Sequence, residues 1–134
     1  MKLHIIETGK FKLDGGAMFG VVPKRMWSKI HPADEENLCT WQMRCLLVED
    51  ENRKILIDTG VGKKQDEKFR KHFYPHDDIP FDEALGKIGL KLDDITDVLL
   101  THFHFDHVGG ALEFDSYGNI VPVFVNATYW TNEL

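Results

Sequence analysis

Apolar residues fall along this chain in short runs broken by glycine, proline and charge, and most of the runs have the length of strands. Leu3-His4-Ile5-Ile6-Glu7 reads as a first strand and Phe11-Lys12-Leu13 as a second. A hairpin is the simplest link between them, ended by Asp14-Gly15-Gly16, where glycine permits positive φ. Residues 17–27 are apolar without a clean period; they suit a loop lining a cleft or, more commonly for such residues, a cap on the core. His31-Pro32-Ala33-Asp34-Glu35-Glu36-Asn37 is a polar connection, because proline keeps its predecessor out of helix. The best hairpin runs from Trp41-Gln42-Met43-Arg44-Cys45-Leu46-Leu47-Val48 through Glu49-Asp50-Glu51-Asn52 into Lys54-Ile55-Leu56-Ile57-Asp58.

Beyond Thr59-Gly60-Val61-Gly62, which breaks the strand, the period changes. Residues 63–73 are charged, with Phe69 and Phe73 four apart, and predict a surface helix with a narrow apolar stripe. Phe81, Ala84, Leu85 and Ile88 follow the i, i+3, i+4, i+7 template and predict a second helix with acidic Asp82 and Glu83 in its first turn and Gly89 at its exit. Leu92-Asp93-Asp94-Ile95 is a short turn feeding the strand Asp97-Val98-Leu99-Leu100-Thr101. A helical turn over 111–114, a strand over 121–125 whose Pro122 suits a start or an edge, and an extended Thr128-Tyr129-Trp130 complete the chain.

Composition narrows the function. With 134 residues, 43% hydrophobic and 28% charged, the chain fits one folded domain and not a disordered one. A net charge of −6 gives no attraction to nucleic acid or to anionic lipid, so neither is an expected partner. No segment approaches the roughly 18 apolar residues of a membrane span, and Met1-Lys2-Leu3-His4-Ile5-Ile6-Glu7 lacks the apolar run of a signal peptide, which points to the cytoplasm. Cys39 and Cys45 read as free core thiols, too far apart along an extended segment to bridge.

The chemistry concentrates in one place. His102, His104, Asp106 and His107 occupy four of six positions directly after the apolar Val98-Leu99-Leu100. Imidazole and carboxylate suit zinc, iron or manganese, and a strand end followed by Gly109-Gly110 holds ligands firmly while leaving a coordination position open. In an extended segment His102 and His104 point to one side and can share an ion. Asp106 and His107 are adjacent, need a turning backbone to converge, and fit a second ion. Burying unpaired carboxylate and imidazole costs several kcal/mol, roughly, which favours a metal site over a histidine-rich loop. His4, His31, His72 and His76 have no such spacing and read as solvated.

Thr101-His102-Phe103-His104-Phe105-Asp106-His107-Val108-Gly109-Gly110 resembles the H-x-H-x-D-H signature of the metallo-β-lactamase-fold hydrolases. Ile55-Leu56-Ile57-Asp58-Thr59-Gly60 is similar to the family's upstream aspartate-glycine motif, and Gly15-Gly16-Ala17-Met18-Phe19-Gly20 looks most like the quorum-quenching lactonase branch. The resemblance implies an α/β (α+β) fold, half of an αββα sandwich, with a mixed sheet carrying helices on one face. It implies that His102 and His104 bind one Zn2+, or Fe or Mn, and Asp106 and His107 a second, with Asp106 also the catalytic base for a metal-bridging hydroxide. Asp58 then supports a ligand from the strand end, although a turn or capping role suits it equally. Phe103 and Phe105 alternate with the ligands and are expected to pack into the fold.

The implied activity is hydrolysis of a small-molecule lactone, ester, thioester or phosphoester. An iron-dependent thiol dioxygenase of the same fold and a non-catalytic metal-binding fragment are the alternatives. The family takes further ligands from downstream, whereas after His107 this chain has no histidine and only Glu113, Asp115 and Glu133 as carboxylates. Residues 1–134 are therefore expected to be the N-terminal part of a single such domain, and its partner either the missing C-terminal half or a second copy of the chain.

Overall fold

A computed structural model describes residues 1–132. Its two longest elements, β1 (Lys2–Asp14) and β2 (Leu38–Asp50), pair antiparallel along almost their full length. β3 (Arg53–Ile57) returns from the turn at Glu51-Asn52 to pair with β2, so the strongest hairpin of the sequence forms. β4 (Asp97–Leu99) then pairs with β3, and β7 (Thr128–Trp130) with β4, both parallel. The result is a mixed sheet in the order β1-β2-β3-β4-β7, and β5 (Leu112–Phe114) and β6 (Ile120–Pro122) form a separate ribbon.

The first hairpin expected from the sequence does not form. Lys2 to Asp14 is one strand, and Gly9, at φ 123°, sits where the register with β2 shifts between Glu7 and Gly9. A bulge absorbs the extra residue, so a polar Thr8-Gly9-Lys10 that looks like a turn stays in the ladder. Asp14 closes no turn either. Its Oδ1 accepts the Ala17 N–H at 2.8 Å and starts the short helix α1 (Gly15–Phe19), where neither Gly15 nor Gly16 has positive φ. A second short helix, α2 (Lys24–Trp27), brings Trp27 into the core and stacks it on Phe19.

Alternation along the strands decides where the core lies. Leu47, Leu56 and Val98 point to one face and are fully buried, joined by Ile6 and Cys45. Against them pack Ala84 and Leu85 of α4 (Phe81–Gly86), with Ile95 and Phe124. Each large apolar side chain removed from water here contributes about 1.5–3 kcal/mol. The helix ends two residues earlier than its apolar spacing predicts, yet Ile88 still packs on this core. A second cluster of Phe11, Met43 and Val61 receives Phe69 from α3 (Glu67–Phe73). That helix starts later than the charge pattern suggests because Asp66 is its cap, accepting from Phe69 N at 2.7 Å. The helices thus lie on one face of a mixed sheet, as the family resemblance implies.

Near the end, the helical turn expected over 111–114 is instead a single 3-10 turn at Gly109–Ala111 followed by β5, and the strand expected over 121–125 is shortened to β6. Cys39 and Cys45 are free and buried, and burial pushes the Cys45 thiol up to about 12. Glu133 lies outside the described residues. Among the described residues no helix is long and apolar enough to cross a membrane.

Candidate metal centre

The ligand stretch begins where β4 ends. The strand stops at Leu99, so His102 and His104 stand in a loop and the two-residue period of a strand does not place them. The loop brings them together all the same: their ring centroids are 4.6 Å apart, and His102 lies 4.0 Å from His107. The turning backbone that Asp106 and His107 need is α5 (Phe105–Val108), whose first turn carries Asp106. His107 Nε2 sits 3.5 Å from Asp106 Oδ2. Three imidazoles and one carboxylate therefore share one corner of the molecule, with His102 and His104 exposed to solvent and His107 half-buried.

Asp58 ties this corner to the sheet. It follows β3 directly, and because Ile57 pairs in parallel with Leu99, the ends of the two strands emerge side by side. Asp58 adopts the left-handed region at φ 61°, which short polar side chains tolerate better than most. Its carboxylate accepts from Thr101 N and Thr101 Oγ1 at 2.9 Å and from His107 Nδ1 at 2.8 Å. Thr101 Oγ1 in turn lies 3.1 Å from His102 Nδ1. One carboxylate thus reaches two of the imidazoles, the nearer directly and the farther through a hydroxyl. The hydrogen bond at Nδ1 makes Nε2 the free nitrogen of His107.

The segment after Asp58 clamps the ligand helix by its backbone. Thr59 N donates to the His107 carbonyl at 2.7 Å, Thr59 Oγ1 donates to the same oxygen at 3.0 Å, and Gly110 N donates to Gly60 O at 3.0 Å. A Cβ on Gly109 would stand 2.1 Å from Val61 O, and one on Gly110 2.1 Å from Thr59 O, so only glycine lets the two chains lie this close. Lys64 Nζ donates to the Gly109 carbonyl beyond the helix end, and partial burial holds its ammonium below the usual lysine range. Thr59 and Gly60 enter the sequence reading only as a strand break and as the end of the aspartate-glycine motif, with no contact assigned to them, and Lys64 carries no signal of its own. The signal that could have found them is the pairing of a Gly-x-Gly with a Gly-Gly, since close backbone approach needs glycine on both sides.

The two phenylalanines between the ligands separate. Phe105 packs edge-on against Phe11 and Phe69, at 5.6 and 5.1 Å between ring centroids, and against Phe73 at 4.4 Å. Phe103 does not pack into the fold and is 63% exposed, because the loop no longer alternates its side chains between two faces. A cavity of about 80 Å³ bordered by Asp58, Gly60, Asp106 and His107 lies beside the cluster, enough for water but too small for a drug-sized ligand. Among the remaining histidines, His4 Nε2 contacts Glu49 at 2.6 Å and His31 stacks on Trp41.

The donor set has the chemistry of a zinc, iron or manganese site. Among the described residues, however, no group of three or more His, Cys, Asp or Glu side chains is arranged to hold a metal ion. The residues fit a metal in kind and proximity and are short of a complete ligand set.

Comparison with known proteins bears on the family and the fold. A solved structure described as a probable metal-dependent hydrolase from Staphylococcus aureus superposes with a TM-score of 0.85 at 36% identity, covering 96% of this chain and 45% of that one. AidC, described as a dizinc quorum-quenching lactonase in complex with a product, superposes with a TM-score of 0.67 at 28% identity, covering 95% of this chain and 40% of that one. The N-acyl homoserine lactonase AiiA of Bacillus thuringiensis subsp. kurstaki is 28% identical over 95% of this chain and 49% of its own. The chain spans about half the length of these relatives. The model of the metallo-beta-lactamase superfamily matches residues 41–128, from the first part of β2 to the start of β7 and across every candidate ligand, and the chain belongs to that superfamily.

Proposed function

We propose that the full-length protein is a metal-dependent hydrolase of a lactone, ester, thioester or phosphoester, with a lactone the first substrate to test. The observation that carries the reading is the convergence of His102, His104 and His107 beside Asp106, with Asp58 bonded to His107 Nδ1 at 2.8 Å. His102 and His104 would hold one cation, and Asp106 and His107 a second. Zinc is the first metal to test because AidC, similar over 95% of this chain, is a dizinc lactonase; iron and manganese suit the same donors. A bound cation pair supplies Lewis acidity at the scissile group and lowers the pKa of water towards neutrality.

The chain's own residues do the rest. Asp58 holds the proton on His107 Nδ1 and so reserves the Nε2 lone pair for the cation. Asp106, one oxygen of which faces that nitrogen, is the base placed to take the proton of the attacking water. The backbone clamp from Thr59 to Gly62 keeps α5 from rotating these groups out of line, where a displacement of about 1 Å can cost two orders of magnitude in rate.

The test is metal analysis and hydrolysis by the full-length protein. Stoichiometric metal, turnover of an N-acyl homoserine lactone followed by proton release, and loss of both in His104→Ala are expected. Protein that holds metal yet hydrolyses no member of a lactone, ester, thioester and phosphoester panel would overturn the hydrolase reading. Tight binding of a single iron with oxygen consumption would do the same in favour of redox chemistry.

A further inference from the structure

The segment after β3 and the end of the ligand helix lie against each other with little room between them. A Cβ on Gly62 would stand 2.7 Å from both Gly109 O and Gly110 Cα, and one on Gly109 2.1 Å from Val61 O. Packing this close keeps water out, so a carbonyl between the two segments needs a donor from the protein. The His107 carbonyl has two, Thr59 N at 2.7 Å and Thr59 Oγ1 at 3.0 Å. The Gly109 carbonyl, on a buried residue, receives the ammonium of the half-buried Lys64. Gln65 Nε2 donates to Val61 O at 3.3 Å and closes the loop that carries Lys64.

Of these donors Lys64 alone is charged. A hydrogen bond from an ionised donor is about twice as strong as a neutral one, and a cation at the C-terminal end of a helix also meets the partial negative charge of its last carbonyls. Gly109 is the C-cap of α5, so Lys64 fastens the helix at its exit. Asp58 and Thr59 hold His107 by its ring and by its carbonyl. The ligand's ring, its carbonyl and the exit of its helix are thus each tied to the segment that follows β3.

We propose, on the two-cation reading above, that Lys64 is a positioning residue for the second cation: its ammonium pins the exit of α5 and with it the Asp106–His107 pair. The four candidate ligands do not depend on this grip equally. Asp106 and His107 lie within α5, next to the fastened end, whereas His104 is the N-cap at its entry and His102 stands in the loop before it. Slackening at Gly109 therefore reaches His107 and Asp106 first and leaves the histidines of the first cation in place. Lys64 acts through the backbone and touches no candidate ligand side chain.

The test is zinc titration of the full-length protein against a chelating indicator, read as two binding steps. The wild type should take up two zinc ions. Lys64→Met keeps the apolar stem and removes the ammonium; it should weaken the second step about 10–100-fold, the range for groups that orient ligands, and leave the first unchanged. Lys64→Arg, which keeps a cationic donor, should recover most of the loss. Lys63→Met, at the exposed neighbouring lysine, should change neither step. Equal weakening of both steps by Lys64→Met marks a merely structural role and overturns the proposal, as do two unchanged steps or an equal effect of Lys63→Met. A wild type that takes up fewer than two zinc ions overturns the two-cation reading and this proposal together. If Lys64→Met does not fold by circular dichroism, Lys64→Gln, uncharged and one bond shorter, carries the same expectation.

Discussion

Replacing Gly110 with alanine tests how the ligand helix is held. The new Cβ would meet Thr59 O at 2.1 Å, Thr59 C at 3.2 Å and Phe81 Cε2 at 3.4 Å. Ordinary contact begins near 3.4 Å, so the two backbones must part by more than an ångström, and neither is the flexible end of a side chain. Overpacking of this kind costs about 1–3 kcal/mol. Parting also stretches two hydrogen bonds, Gly110 N to Gly60 O and Thr59 N to the His107 carbonyl, each with a net worth of about 1 kcal/mol. The sum is about 3–5 kcal/mol, which for a domain of this size lowers Tm by roughly 10–20 °C. Because the His107 carbonyl is one of the displaced groups, zinc affinity should fall with it. Gly86→Ala is the control: nothing lies within 4 Å of its Cβ at the end of α4, and φ is not positive, so a gain of about 0.4–1 kcal/mol is expected. Thermal unfolding by circular dichroism and zinc titration measure both. A Gly110→Ala protein that melts with the wild type would refute the clamp.

Three further outcomes follow from single residues. Asp58→Asn keeps a side chain that tolerates the left-handed backbone but weakens the hold on His107 Nδ1; zinc affinity should drop about 10–100-fold with little change in Tm, and unchanged affinity in a chelator competition would count against the support role. Asp97, 4% exposed, accepts from Arg53, Thr96 Oγ1 at 2.6 Å and Trp130 Nε1 at 2.7 Å, and the Arg53 guanidinium foremost holds its carboxyl well below the usual range. Its stabilisation is complete above the unfolded pKa of about 3.9 and is lost as pH falls through the folded value, so acid should destabilise the wild type more steeply than Asp97→Asn; parallel denaturation curves between about pH 5 and pH 2 would contradict this. Burial raises the Cys45 thiol to about 12, so a thiolate reagent at about pH 8 should label it only after unfolding, and rapid native labelling would contradict its place in the core.

The ligand stretch was legible because its chemistry is local: four donor residues in six positions carry their meaning without any partner. The hairpin from Trp41 to Asp58 was legible for the same reason, since alternation and the intervening turn are both short-range signals. β1 was misread because strand length is set by the partner. Thr8-Gly9-Lys10 has the composition of a turn, but thirteen residues of β2 are available to pair with it, and a bulge at Gly9 costs less than abandoning the ladder. Phe103 was misread because alternation ceases to apply once the chain leaves β4 at Leu99. Thr59 and Gly60 looked like a strand break because the groups they bind lie far along the chain; Thr59 Oγ1 and the His107 carbonyl are 48 residues apart. No local pattern encodes such a contact.

What joins these readings is the parallel pairing of β3 with β4. An antiparallel neighbour would carry its C-terminal end to the opposite edge of the sheet, whereas the register Ile57 to Leu99 sends both chains out on the same side. Asp58 N then donates to Leu99 O at 2.9 Å, its carboxylate meets Thr101, and the next two residues meet α5 and the Gly109–Ala111 turn that follows it. Ligand-binding crevices of open α/β sheets collect at the carboxyl ends of parallel strands for this reason. The same geometry separates two kinds of damage. A change that disturbs the β3–β4 register must cost stability and metal affinity together, because one set of backbone contacts serves both. A change confined to the Asp58 carboxylate leaves the ladder intact and costs affinity alone. The contrast between Gly110→Ala and Asp58→Asn therefore measures how far the candidate centre is a property of the sheet and how far of its side chains.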